Sequence, residues 1–201
     1  RGLYDRTNAA DQGIEFVRRP TGGRAVLHSH EVTYAIVVPV RALGGPKASY
    51  VEINRGLAEG LSSIGAAVTV TDHGKTLSPD AGACFGAPAP GEIIADERKL
   101  VGSAQLRVGD ALLQHGSILI DGDQSLLNQL TGKLHDTVHP ATLRSMLGIV
   151  HQDQVTFSVI DGLKHVLGGS WEEGEYLSGE RNEAGRLERQ RYSQAGWTWR
   201  R

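Results

Sequence analysis

The sequence predicts an α+β fold, and three observations carry that reading. The first half alternates glycine-marked turns with short β-branched or apolar runs, the pattern of strands. The second half carries apolar residues at three- and four-residue spacing, the pattern of helices. Between the apolar runs at 100–107 and 111–120, Arg107-Val108-Gly109-Asp110 reads as the turn of an antiparallel hairpin. A chain of 201 residues suits one sizeable domain over 1–201, able to bury roughly 70% of its unfolded surface.

Taken in order, residues 1–13 are polar and turn-prone and read as the tail of a helix whose beginning is missing. The chain opens on Arg1 rather than Met, so an N-terminal segment is expected to be absent. Val26 and Leu27 read as a short strand after Gly22-Gly23, and residues 32–38, close to a continuous apolar run, as an inner strand. Ser49 is placed as the cap of a helix through about Ile64, with Ile53, Leu57, Leu61 and Ile64 on one stripe and Gly65 as its stop. Residues 67–71, 92–95, 100–107 and 111–120 are the remaining strands, and 72–82 form a polar loop that delivers Cys84. The tail is helical over 126–130, 141–147, 155–167 and 183–192, with Pro140 suiting a helix start and Gly168-Gly169 a stop. Trp197 and Trp199 are expected to anchor the terminus onto the domain.

Composition narrows the function. A formal net charge of -2 supplies no global positive field for nucleic acid or an anionic membrane. One cysteine excludes an intramolecular disulfide and a cysteine-based zinc site, which suits a reducing cytoplasm. No apolar run approaches the ~18 residues of a membrane span. The expectation is a cytoplasmic protein with no metal and with neither nucleic acid nor membrane as partner.

The stretch around Cys84 carries the chemistry. Lys99 follows it by fifteen residues, across a rigid segment with two prolines and a short apolar run. Such an arrangement can fold back and set an ammonium beside the thiol, which lowers a thiol pKa from about 8.5 and activates it as an acyl-transfer nucleophile. On the other reading Cys84 is a small buried hydrophobe and Lys99 a solvated strand residue. Arg18, Arg19 and Arg24 surround Thr21-Gly22-Gly23, which is either a site for phosphate or carboxylate or a surface hairpin. Gln114-His115-Gly116-Ser117 interrupts an apolar strand, and His115 is either satisfied in the core or faces a site.

Three blocks together resemble the lipoate–protein ligase A and octanoyltransferase family of cofactor-attachment enzymes. They are RRPTGGRAVLH at 18–28, RKLVGSAQ at 98–105 and QHGS at 114–117, and the ending RYSQAGWTWRR is similar to the family's. The resemblance implies the biotin and lipoate protein ligase catalytic domain, related to class II aminoacyl-tRNA synthetases: a mixed, largely antiparallel sheet flanked by helices. It also implies one of two chemistries. Cysteine-loop octanoyltransferases move octanoyl from acyl carrier protein through a cysteine thioester to a lysine of a lipoyl-carrier domain, such as the glycine cleavage H protein. ATP-dependent lipoate–protein ligases act through lipoyl-adenylate. Cys84-Phe85-Gly86-Ala87-Pro88 differs by one residue from the transferase loop, so the transferase is expected. That route needs no cofactor, whereas ATP and Mg enter only with the ligase; a non-catalytic carrier-binding module is the third reading.

Carried over residue by residue, Cys84 resembles the acyl-thioester nucleophile and Lys99 the residue that depresses its pKa and contacts the acyl carbonyl. Arg19 and the backbone of 24–27 resemble the part that holds the polar end of the activated acyl group. Thr21, Gly22, Gly23, Arg24, Ala25 and Val26, with Lys99–Ala104 (Gly102, Ser103 and Ala104 among them) and the region of His115, are expected to border a narrow apolar tunnel for the acyl chain. Two departures stand out: Ser29-His30 follow His28 where Asp is common, and Glu97 precedes Arg98-Lys99 where Gly is usual. Glu97, read as a strand residue, is expected to face away from its neighbour, though it would offset the positive field around Cys84 if it pointed inward.

Overall fold

Strands β1 (Glu31–Pro39), β2 (Thr69–Val70), β3 (Ile93–Ala95), β4 (Arg98–Val108) and β5 (Ala111–Leu119) form one sheet in the order β1-β5-β4-β3-β2. Every pairing among them is antiparallel. The computed structural model describes residues 4–71, 90–122, 124–131 and 139–200. They fall into two units, one drawn from Thr21–Gln129 and Lys133–Gly169, the other from Arg1–Pro20, Leu130–Gly132 and Ser170–Arg201.

The sheet belongs to the larger unit. Gly109-Asp110 turns β4 into β5, as the sequence predicts, with Gly109 at φ 59°. The turn from β3 to β4 is Asp96-Glu97, at φ 48° and 58°. Both central residues of such a tight turn sit in the left-handed region so that the strands keep their twist. Glu97 is therefore an exposed turn residue and not a strand residue.

β1 is an edge strand, against the expectation of an inner one. It pairs with β5, its burial alternates, and Val37 is 67% exposed. The run looks apolar on both faces because Thr33, Ala35 and Val37 carry no charge to mark the outer one. Val26 and Leu27 form no strand either. Leu27 instead donates its amide to Gln124 Oε1 at 2.8 Å and accepts from Gln124 Nε2 at 3.0 Å, so a side-chain amide takes the place of a neighbouring strand.

Helix α2 (Pro46–Ser63) covers the sheet and packs against α5 (Gln152–Leu167). It starts earlier than expected, because Pro46 presets the helical φ of its first turn. Ser49 lies buried inside that turn and donates to the Gly45 carbonyl at 2.9 Å rather than capping. A Cβ on Gly60 would stand 2.2 Å from the Ser158 carbonyl oxygen, and one on Gly162 2.3 Å from that of Gly56. The absence of side chains here is what lets the two backbones touch. Ile53, Leu57 and Leu61 then close the core with Val101, Ile118, Val159 and Leu163, each buried. Helix α3 (Ser125–Thr131) follows the sheet, and α4 (Leu143–Leu147) begins after Thr142, whose hydroxyl accepts from the Ser145 amide at 3.2 Å. The helix expected from residue 141 is thus set by a threonine cap and not by Pro140.

The smaller unit has its own helix start. Asp5 caps α1 (Arg6–Asp11) by accepting from the Thr7 and Asn8 amides at 3.1 and 3.0 Å, so α1 is not the tail of an earlier helix. α6 (Ser178–Leu187) runs into a π-helical turn, Glu188–Tyr192, and then α7 (Ala195–Thr198). The terminal tryptophans act as anchors. Trp197 donates its indole N–H to the Arg18 carbonyl at 2.7 Å, and Phe16 lies between Tyr4 and Trp199, with ring centres 5.4 and 5.2 Å apart. Among the described residues no helix is long and apolar enough to cross a membrane.

Candidate active site

Side chains alternate between faces along a strand, and directly paired residues share a face. The register therefore puts Tyr34, Gly116 and Ser103 in one row and Ile36, Gln114 and Gln105 in the next, on the α2 side. The rows Ala35–His115–Ala104 and Thr33–Ser117–Gly102 face the other way.

On the α2 side the polar groups satisfy one another. Asn54 of α2 accepts from Gln114 Nε2 at 3.1 Å and from Ser103 Oγ at 3.2 Å, and donates to the Gly91 carbonyl at 2.6 Å. The Tyr34 hydroxyl meets Ser103 Oγ at 2.7 Å and accepts from Gln114 Nε2 at 3.1 Å, while Gln105 donates to Gln114 Oε1 at 2.9 Å. Burial pushes the Tyr34 phenol up to about 12, with the bonds to Ser103 and Gln114 pulling the other way. The phenol is therefore neutral at physiological pH. Among the described residues no buried side-chain nitrogen or oxygen lacks a partner. Gly116 has to be glycine, since a Cβ there would meet the Gly102 oxygen at 2.4 Å and the Tyr34 ring at 2.7 Å.

The opposite side gathers residues from the three sequence blocks. Thr21 Oγ1 lies 2.7 Å from His115 Nε2, and Ala104 is the cross-strand partner of His115. Ser117 donates to the Glu31 carboxylate, whose other oxygen meets His28 Nδ1. Gly22 and Gly23 are exposed, Gly23 at φ 102°, while Arg24 and Ala25 are half-buried and Val26 packs on the core. The structure thus joins Thr21 to His115 and Ala104. Ser103 points to the α2 network instead, and Arg19 belongs to the smaller unit.

Lys99 sits where the β3–β4 ladder slips. Ile93 pairs with Val101 and Ile94 with Lys99, so Leu100 is an extra residue on β4, and both Lys99 and Leu100 are buried. Such bulges re-aim side chains, commonly beside active sites. Lys99 is 2% exposed, which removes the reading of a solvated strand residue. Its ammonium donates to Glu92 Oε1 at 2.5 Å, and the Glu92 side chain is itself only 9% exposed. Sequence reasoning missed Glu92 and weighed Glu97 instead. The available signal was a lone carboxylate heading an apolar strand, seven residues before the lysine.

Cys84 and its loop lie within 72–89, outside the described residues. The flanks of that connection are joined: Gly91 donates to the Thr71 carbonyl at 2.7 Å and Thr71 to that of Glu92 at 2.9 Å. Glu92 and Lys99 therefore stand at the base of the segment that carries the cysteine. A buried cation held in place can stabilise an anion without reorganising at the moment of reaction.

Comparison with known proteins shows the family. The lipoyl protein ligase A/B catalytic domain family matches residues 3–160. Octanoyltransferase LipM of Kyrpidia tusciae is 37% identical over 195 residues, 88% of this chain and 71% of its own length. Octanoyltransferase LipM of Carboxydothermus hydrogenoformans is 46% identical over 114 residues, 55% of this chain and 42% of its own. In fold, the crystal structure of a lipoate-protein ligase A bound with ATP is similar at a TM-score of 0.81 and 23% identity, over 97% of this chain and 76% of that one. The chain belongs to the lipoyl protein ligase A/B catalytic domain family.

Proposed function

We propose that this chain is an octanoyltransferase of lipoate biosynthesis that carries its acyl group as a thioester on Cys84. The observation that supports the reading most is the likeness to octanoyltransferase LipM along 88% of the chain. The buried ammonium of Lys99 supplies the chemistry such a route needs.

In the first half-reaction the Cys84 sulfur attacks the carbonyl carbon of a donor thioester. The new C–S bond forms, the donor sulfur leaves, and the cysteine's proton ends on the departing thiol. In the second, the neutral amine of an acceptor lysine attacks the Cys84 thioester. The amide C–N bond forms, the C–S bond breaks, and an amine proton returns to the Cys84 sulfur. Lys99 favours the thiolate and donates to the acyl carbonyl oxygen as it gains charge. The acyl chain lies along Thr21–Val26, Gly102, Ala104 and His115, where burial contributes about 0.8 kcal/mol per CH₂.

On the family resemblance we take octanoyl-acyl carrier protein as donor. The acceptor is an apo lipoyl domain or a glycine cleavage H protein, the compartment the cytoplasm, and no cofactor or metal takes part. The test is transfer of octanoyl from octanoyl-acyl carrier protein to an apo lipoyl domain without ATP. Wild type is expected to label the acceptor and Cys84→Ala to leave it unlabelled. Wild-type transfer by the Ala variant would overturn the covalent route, and transfer only from free octanoate with ATP would make the chain a ligase.

A further inference from the structure

We infer that the arginines gathered around Trp197 form a docking surface for an acidic protein partner, the donor carrier of the proposed transfer. This rests on the reading of the chain as an octanoyltransferase and adds how the donor is held. In a chain of net charge -2, residues 189–201 hold four arginines and no acidic residue. That is a local positive field set against the charge of the whole.

The fold of the smaller unit draws these side chains together. Arg191 lies in the π-helical turn Glu188–Tyr192, which the Ser193 hydroxyl closes by donating to the Glu188 carbonyl at 2.8 Å. Such turns are rare and occur often at functional sites. The guanidinium carbon of Arg200 stands 3.5 Å from the centre of the Trp197 ring, and that of Arg191 4.9 Å. Arg18 joins them, since it donates to the Arg200 carbonyl while its own carbonyl accepts from the Trp197 indole. Two other arginines of the unit have carboxylate partners: Arg181 meets Glu175 at 3.5 Å and Arg186 meets Glu183 at 2.5 Å. Among the described residues none of Arg18, Arg191 and Arg200 has a carboxylate within ion-pair distance. Glu15 and Glu188 line a hollow with Arg6 and Trp199 instead.

Packing alone does not explain the group. Three like charges gathered around one residue repel one another, and a single arginine would cover the indole. Stacking uses the flat face of a guanidinium and leaves its N–H edge for a planar anion, with little further loss of side-chain freedom. Arg191 and Arg200 are exposed, so an anion can reach them. The chemistry of the two half-reactions selects the occupant. An acyl thioester is uncharged, so the cluster reads the protein that carries it rather than the acyl group. The acceptor presents a lysine, whose ammonium the arginines repel. Carboxylates clustered on the donor carrier meet them with the right sign.

The experiment gives the full chain two donors: octanoyl-acyl carrier protein, and octanoyl-N-acetylcysteamine, the same thioester without a protein. In the Arg191→Gln/Arg200→Gln double variant, KM for the carrier donor is expected to rise about fivefold to thirtyfold, as for two exposed charged contacts. Its kcat should stay within about twofold of wild type, the sign of lost ground-state binding. KM for the small donor and for the apo lipoyl domain should not change. In the wild type, KM for the carrier donor should climb several-fold between about 50 and 200 mM salt, and more steeply than in the variant. An unchanged carrier KM, equal losses with both donors, or a rise in the lipoyl-domain KM alone overturns the inference and leaves octanoyl transfer standing. Should the variant lack the wild-type circular dichroism spectrum, Arg191→Lys/Arg200→Lys decides. It keeps the charge, so the carrier KM should stay within about threefold of wild type and remain salt-dependent; a carrier KM that ignores salt overturns the inference. A wild type that takes octanoyl from neither donor overturns the proposed function itself.

Discussion

The two faces of the sheet use neighbouring residues of the same sequence blocks for different ends. On the α2 face, Ser103 and Gln114 join Asn54 and Tyr34 in a network in which every buried polar atom has a partner. One residue along each strand, Ala104 and His115 look the other way, where Thr21 meets His115 and Gly102 pairs with Ser117. A saturated network specifies how the helix seats on the sheet and has nothing left to offer a ligand. The opposite face is built from a loop, small residues and polar side chains bonded in short runs. Residues adjacent in a motif therefore divide between the two faces, and the strand period does the dividing.

That division can be broken first on the scaffold side. Gly60→Val and Gly162→Val drive atoms into the facing backbone, and each is expected to cost about 3 kcal/mol or more in urea unfolding. The helix propensity gained over Gly, up to about 1 kcal/mol, does not offset this. Near-wild-type stability in either variant would mean that α2 and α5 do not meet as closely as described.

Tyr34 gives the next effect, and its sign follows from linkage. The folded phenol titrates near 12, above the value of 10.0 taken for the free side chain, so the folded state holds the proton more tightly. The stability this represents is whole below pH 10 and is lost as pH rises through 12. Wild type is expected to lose about 2–3 kcal/mol more than Tyr34→Phe across that window. Parallel pH profiles for the two proteins would place the hydroxyl outside the network.

Smaller effects sharpen the comparison at the other end of β4. Lys99→Met is expected to raise the apparent pKa of Cys84 by about one unit, or about 1.4 kcal/mol, read from the pH dependence of alkylation by iodoacetamide. Lys99→Arg should recover part of the shift, since its planar fork cannot replace a compact ammonium. Equal values in wild type and Lys99→Met would remove Lys99 from the activation of Cys84. Smallest is Glu97→Gly, expected to stabilise by about 0.5–1 kcal/mol because Gly accepts φ 58° without a Cβ penalty. A loss of stability there would mean that the Glu97 side chain holds the turn.

Much of this fold was legible from spacing. The stripe Ile53, Leu57, Leu61 marks α2, and the turn at Gly109-Asp110 marks the β4–β5 hairpin. What was not legible depends on partners distant in sequence. Nothing in residues 32–38 says that one face meets water, because their outward side chains are uncharged. Leu27 looks like a strand residue until Gln124, ninety-seven positions later, takes its backbone bonds. Asp96-Glu97 lacks the glycine that announces a primed turn. The motifs name Thr21, Ala104 and His115, which the fold brings together, and Lys99, which it buries further along β4, but periodicity carries no signal for the counter-ion of a buried lysine. Glu92 becomes visible only once the bulge turns Lys99 inward.

The central claim is that the acyl group passes through Cys84, and intact-mass spectrometry tests it most directly. The protein is incubated with octanoyl-acyl carrier protein, with no ATP and no acceptor, and then with neutral hydroxylamine, which cleaves thioesters. Wild type is expected to gain one octanoyl group and to lose it to hydroxylamine, while Cys84→Ala gains none. An octanoyl group on the Ala variant, or one on wild type that resists hydroxylamine, would contradict it.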